Sequence, residues 1–251
     1  MNDPIRGDAF DAIDSGATDA LLLSMQSSDP KIKEEIARTA LEKPIEDQEL
    51  KALLWRQVYL GRAEAHDWTE ALCIAEKIIE FEVLGDLARQ DAARAASALG
   101  AYEPALGHLR IAARIAPVER RAFHLSALGS MLRFGGRPES SVEAYEAALR
   151  WASGLRPLYR AQLELARRAA NDVPQNSLEE LEQQLFESKE RVGYDDWVRG
   201  ELRYLLKDYA NAKILLKDFV ERQADASPLK IASLRLELLH AQRLLSQISN
   251  R

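Results

Sequence analysis

Four anchors in this chain, Trp68, Tyr102, Pro138 and Tyr209, are each followed three residues later by a small residue: Ala71, Ala105, Ser141 and Ala212. The anchors are spaced by 34, 36 and 71 residues, the last step being two repeats. A period of this length restricts the fold sharply, because self-similarity at ~20–50 residues marks solenoids, propellers or arrays. The residues between the anchors choose among these. Ala, Leu, Glu and Arg dominate, Gly and Pro number only 12 and 9, and Val, Ile, Thr and Tyr nowhere gather in alternating runs. These are helix-forming residues with no strand pattern among them. The chain therefore reads as all-α.

Helices are expected at about 8–25, 30–42, 47–65, 68–82, 86–99, 102–115, 118–134, 138–151, 156–170, 177–190, 195–207, 209–224 and 228–248. Local signals mark their ends. Ser28-Asp29-Pro30 and Ser227-Pro228 combine a cap with Pro in the first turn, and Asp67 has Glu70 three residues on, as in a capping box. Gly100, Gly135 and Gly136 follow apolar-periodic segments, where a helix ends. The connections are short, so successive helices pack as antiparallel neighbours.

The best copy of the repeat runs from Leu125 through Leu128-Gly129, Leu132 and Gly136 to Tyr145 and Ala148. Others keep Gly100, Tyr102, Ala105, Ala112 and Pro117, or Trp55, Trp68 and Ala71, or Gly200, Tyr209 and Ala212. This pattern resembles the tetratricopeptide repeat (TPR), a helix–turn–helix of 34 residues, over about residues 51–224. Residues 156–190 match it poorly. HEAT-like or armadillo-like arrays, with periods of ~40–47 residues, fit the spacing worse. The resemblance implies a right-handed superhelical solenoid of antiparallel helix pairs, with a concave groove that mediates protein–protein contacts. The expected organisation is an N-terminal helical cap over 1–45, partly flexible, repeats over 46–224 and a C-terminal capping helix over 225–251. That last helix has apolar residues on more than one stripe, from Ile231 to Ile248, which raises self-association or contact with the N-terminal helices as uses for it.

Chemistry-bearing motifs are not found. There is no phosphate-binding Gly loop and no HExxH. His66, His108, His124 and His240 lack ligand spacing, and Cys73, within Leu72-Cys73-Ile74, reads as a small buried thiol. One Cys excludes an internal disulfide framework, no apolar run approaches a membrane span, and the start of the chain lacks signal-peptide character. The expectation is a cytoplasmic, non-enzymatic protein with no metal and no cofactor.

Charge is uneven. The net charge is −6 overall, but residues 100–170 carry eleven Arg against six acids, and no Lys. Arg forks suit carboxylate or phosphate. Compositional bias toward Arg is the competing reading. An acidic chain without a recognised nucleic-acid motif argues against nucleic acid as partner. The leading function is a scaffold or adaptor that binds a partner peptide or helix, acidic if the Arg residues are used. The alternative is a regulatory sensing module acting through a transcription or signalling partner. Counting along the first helix of each pair places Arg56, Arg94, Ser130 and Arg133 on the groove, with Tyr194, Trp197, Glu201 and Tyr204 toward the C-terminal end. The aromatic members of this set read either as a groove anchor or as core. A chaperone-tail clamp is rejected, because its positions hold Arg56, Leu60, Asp91, Phe123 and Ala127, of which one is cationic.

Overall fold

The computed structural model describes residues 16–188 and 193–250. They form α-helices joined by short turns, with no strand among the described residues. In chain order the helices are α1 (Ala17–Gln26), α2 (Pro30–Leu41), α3 (Gln48–Glu64), α4 (Trp68–Ile79), α5 (Gly85–Ala98), α6 (Tyr102–Ile115) and α7 (Val118–Phe134). They continue as α8 (Pro138–Trp151), α9 (Arg156–Ala169), α10 (Leu178–Glu187), α11 (Asp195–Leu205), α12 (Tyr209–Glu221), α13 (Pro228–Ser233) and α14 (Arg235–Ser249). The part of the first expected helix before residue 16 lies outside the described residues.

Capping chemistry sets many of the starts. The side chains of Asp29, Asp47, Asp67, Ser177 and Asp208 accept hydrogen bonds from backbone N–H groups in the first turns of α2, α3, α4, α10 and α12. These N–H groups have no partner inside their own helix, and each such cap contributes about 1 kcal/mol.

Helices pack in sequential pairs, α3 with α4, α5 with α6, α7 with α8 and α11 with α12. The repeat explains how they approach. Ala71, Ala105, Ser141 and Ala212 are all fully buried. In two pairs a glycine faces the second helix. A Cβ on Gly129 would stand 2.9 Å from the Tyr145 ring, and one on Gly200 would stand 2.8 Å from Leu216. Ser141 tightens the first of these contacts by donating its hydroxyl to the Gly129 carbonyl at 2.8 Å. Small residues thus let the backbones close, and the large neighbours fill the space beside them.

The described residues divide into two compact units, one of residues 16–115 with 227–232, the other of 116–188, 193–226 and 233–250. The core of the first gathers Ile36, Leu54, Val58, Tyr59, Ile74 and Ile78 with many alanines. The core of the second gathers Leu165, Leu181, Leu185, Trp197, Leu202, Leu216 and Phe219. The expected single helix over 228–248 is broken at Leu234, which leaves helical geometry at φ −108°, ψ 11°. The two apolar stripes have different destinations. Leu229 packs on the first core, whereas Leu234, Leu238, Leu245 and Ile248 pack on the second.

Candidate functional site

The eight residues expected on the groove fall into two clusters, one in each unit. In the first, the carboxylate of Asp91 on α5 is 1% exposed and receives two guanidinium groups. Arg56 on α3 donates from Nε at 2.8 Å, and Arg94 donates at 2.6 Å from one turn along α5. Tyr59 donates its hydroxyl to the Asp91 backbone carbonyl at 3.1 Å. Arg56 keeps 30% of its side-chain surface in solvent and Arg94 keeps 16%. Two cations on one carboxylate leave a net positive, half-open spot on paired first helices.

The second cluster is closed. Helix α14 packs on α11 and α12 and reaches α7. Its Glu237, Ala241 and Leu244 are buried at i, i+4 and i+7, so one helical face meets the unit. The hydroxyl of Tyr194, at the start of α11, is the meeting point. It donates to Glu237 of α14 at 2.9 Å, accepts from Gln162 of α9 at 3.2 Å and lies 3.3 Å from the Ser130 hydroxyl of α7. Ser130 is also 2.9 Å from the buried Tyr145 hydroxyl, and Ser126 donates to Gln162 at 3.1 Å. Beside this hub, Arg133 pairs with Glu201, and His240 of α14 lies 3.1 Å from the same carboxylate oxygen. Tyr204 donates to Gln247 of α14 at 2.9 Å.

The electrostatics follow from enclosure. Burial alone would raise the Glu201 carboxyl, but Arg133 and the hydrogen bond with His240 outweigh it and bring it down to about 2. Glu237 goes the other way: burial raises it, and its hydrogen bonds only partly offset that. Two carboxyl groups meeting the same inner face are thus pushed apart, Glu201 held ionised and Glu237 biased toward the neutral acid.

Of the two readings of the aromatic face, groove anchor or core, Trp197 takes the second. It is 0% exposed, with ring centroids 5.0 Å from Tyr194, 5.9 Å from Phe134 and 6.4 Å from Phe219. Ser130, Arg133 and Glu201 are likewise buried. The physical reason is the cover supplied by α14, which removes this face from solvent. Tyr194 and Tyr204 are partly buried and bonded to the same helix. Sequence reasoning missed Gln162, Glu237 and His240. The one signal for Glu237 was an acid inside the Leu-rich run 234–245.

Cys73 also differs from expectation, being exposed: two residues after the buried Ala71, it points off the packed face of α4. His124 is fully buried. Among the described residues no group of three or more His, Cys, Asp or Glu could hold a metal ion, and no helix is long and apolar enough to cross a membrane.

No protein-family model matches this sequence, and no curated protein matches it. Solved structures do resemble it. A tetratricopeptide repeat protein from Parabacteroides merdae superposes with a TM-score of 0.57 at 16% identity, over 98% of this chain and 91% of that one. A Rap protein, solved in complex with Competence and Sporulation Factor, superposes with a TM-score of 0.50 at 16% identity, over 99% of this chain and 67% of that one. Sequential helix pairs, small residues at a fixed register and these superpositions agree that the chain has the fold of a TPR-like helical repeat protein.

Proposed function

We propose that the chain is a protein-interaction scaffold that holds a partner peptide or helix on the inner helices of its repeats. The observation that carries this reading is α14 itself. An amphipathic helix packs on α12 and α11 and reaches α7 through a buried row, Glu237, Ala241 and Leu244, flanked by polar contacts to Tyr194, Glu201 and Tyr204. An amphipathic helix docked on repeat helices is the kind of contact a partner helix would make, and it supports this reading. The same kind of surface in the first unit carries Arg56 and Arg94 on a single buried carboxylate and suits a segment that brings an acid of its own. The Rap neighbour was solved with a bound factor, which adds support for partner binding on this fold.

A photo-crosslinking residue placed at Leu60, beside this cluster, tests the proposal in cells. The expected outcome is a discrete crosslinked partner that is lost in the variants Arg56→Ala and Arg56→Glu, with helical circular dichroism unchanged. Crosslinking that is indifferent to both substitutions would remove the first unit's inner face as the site.

A further inference from the structure

Within the second unit, on the α8–α9 pair, a cavity of about 460 Å³ opens to solvent. Its walls carry four arginines, Arg150 from α8 and Arg156, Arg160 and Arg167 from α9, against one carboxylate, Glu146. The arrangement follows from helical spacing. Positions 156, 160 and 167 are i, i+4 and i+11, one face of α9, and 146 and 150 are i and i+4 on α8.

Each arginine has a different bonding state. Arg167 is 6% exposed and donates to Glu146 at 2.9 Å, while its buried Nε makes no hydrogen bond. Arg156 is fixed by donating to the Leu149 and Ala152 carbonyls at 3.1 and 2.9 Å, so it meets no carboxylate. Arg150 and Arg160 are exposed, with no acid within ion-pair distance among the described residues. Glu146 is already matched by Arg167, and three guanidinium charges remain around one cavity. Like charges gathered in this way repel unless an anion joins them.

The rim opposite is held in place. Glu164, fully buried, accepts the backbone N–H groups of Gln175 and Asn176, both at 3.2 Å, which draws that loop against the cavity. Leu149 and Leu163 supply an apolar wall.

We propose that this cavity binds a phosphomonoester, its dianion among Arg150, Arg156 and Arg160 and its organic part against Leu149 and Leu163. Planar guanidinium forks match phosphate oxygens, and a dianion neutralises two of the three spare charges where a carboxylate neutralises one. The volume falls in the range of small-ligand sites, ~300–1,000 Å³, so it admits more than the phosphate. The site does not depend on the inner-face reading above, since none of its residues belongs to either cluster.

The test is calorimetric titration of the full chain with phenyl phosphate, with benzoate in parallel as a monoanion on the same ring. The expected result is binding about tenfold or more tighter for phenyl phosphate. Its affinity should fall by a similar factor in the variant Arg150→Glu, Arg160→Glu, whose exposed positions leave the fold intact by circular dichroism. It should also weaken below about pH 6, where the phosphomonoester dianion takes up a proton and becomes a monoanion while Arg stays charged. A phosphoserine peptide that binds more tightly than free phosphoserine points to a polypeptide source, and tighter binding of AMP points to a free metabolite. Equal affinity for benzoate, binding unchanged in the double variant, or no binding at millimolar phenyl phosphate each overturns the proposal.

Discussion

The two units place the same chemistry, arginine on a buried carboxylate, in opposite settings. In the first, Asp91 faces Arg56 and Arg94, both of which reach water. In the second, Arg133 and Glu201 are each 7% exposed, and α14 lies across them. The first cluster can exchange its partners for solvent or for another molecule, and the second cannot without moving a helix. A buried pair costs several kcal/mol to desolvate and recovers this only through its mutual contact and further hydrogen bonds. An inner face on this fold is therefore part-open to solvent or part of the core depending on whether the chain supplies its own cover.

The largest effect expected from this contrast is in removal of the acid. Glu201→Ala strands the Arg133 guanidinium in the interior and should cost about 3–5 kcal/mol of unfolding free energy in urea titrations. Asp91→Ala strands Arg94 only in part and leaves Arg56, 30% exposed, able to turn to water, so its cost should be smaller, about 1.5–3 kcal/mol. Equal losses would break the distinction between open and sealed clusters.

Acid should separate the units as well. Glu201 sits at about 2 when folded, below its ordinary value near 4.5. A depressed carboxyl stabilises the fold above the unfolded value, and that contribution is lost as pH falls from about 4.5 through about 2. Glu237 is raised, so its contribution has the opposite sign: it is present at low pH and fades as pH rises through its folded value. Melting curves across this acid range should show wild type losing stability more steeply than Glu201→Gln. Parallel curves would show that the sealed pair does not control the acid limb.

Next in size, Ala105→Leu in the first unit should overpack the α5–α6 contact by about 1–3 kcal/mol. An unchanged melting curve would contradict the register of the repeat. Smallest is Arg56→Ala, expected to change stability by about 1 kcal/mol or less because its pair is part-exposed. A larger loss would mean that the first cluster is also structural and would weaken its candidacy as a partner site.

What could be read from the residue order was what depends on short separations. Asp67 capping α4, or Ala105 three residues into α6, involve neighbours within one or two turns, and caps and periodicity report them directly. The aromatic face of α11 shows the limit. Periodicity places Trp197 and Glu201 together, but cannot tell what lies over them. The answer comes from His240, 39 residues after Glu201, and from Glu237, 43 residues after Tyr194. The excess of Arg in residues 100–170 was visible as composition, while its gathering at 150, 156, 160 and 167 needed the α8–α9 turn to fold them side by side. Cys73 was misread because two apolar neighbours in sequence are not neighbours on a helix.

The Tyr194 hydroxyl joins α7, α9, α11 and α14 at one oxygen, through partners 64, 32 and 43 residues away. Solenoids ordinarily open from their ends, since each repeat is held only by its neighbours. A closing bond of this span turns the last helix from a free end into a latch. In native-state hydrogen exchange, amides of α14 should then share the slow, collective opening of α7 and α11 instead of unzipping first, so that the second half of the chain behaves as one foldon.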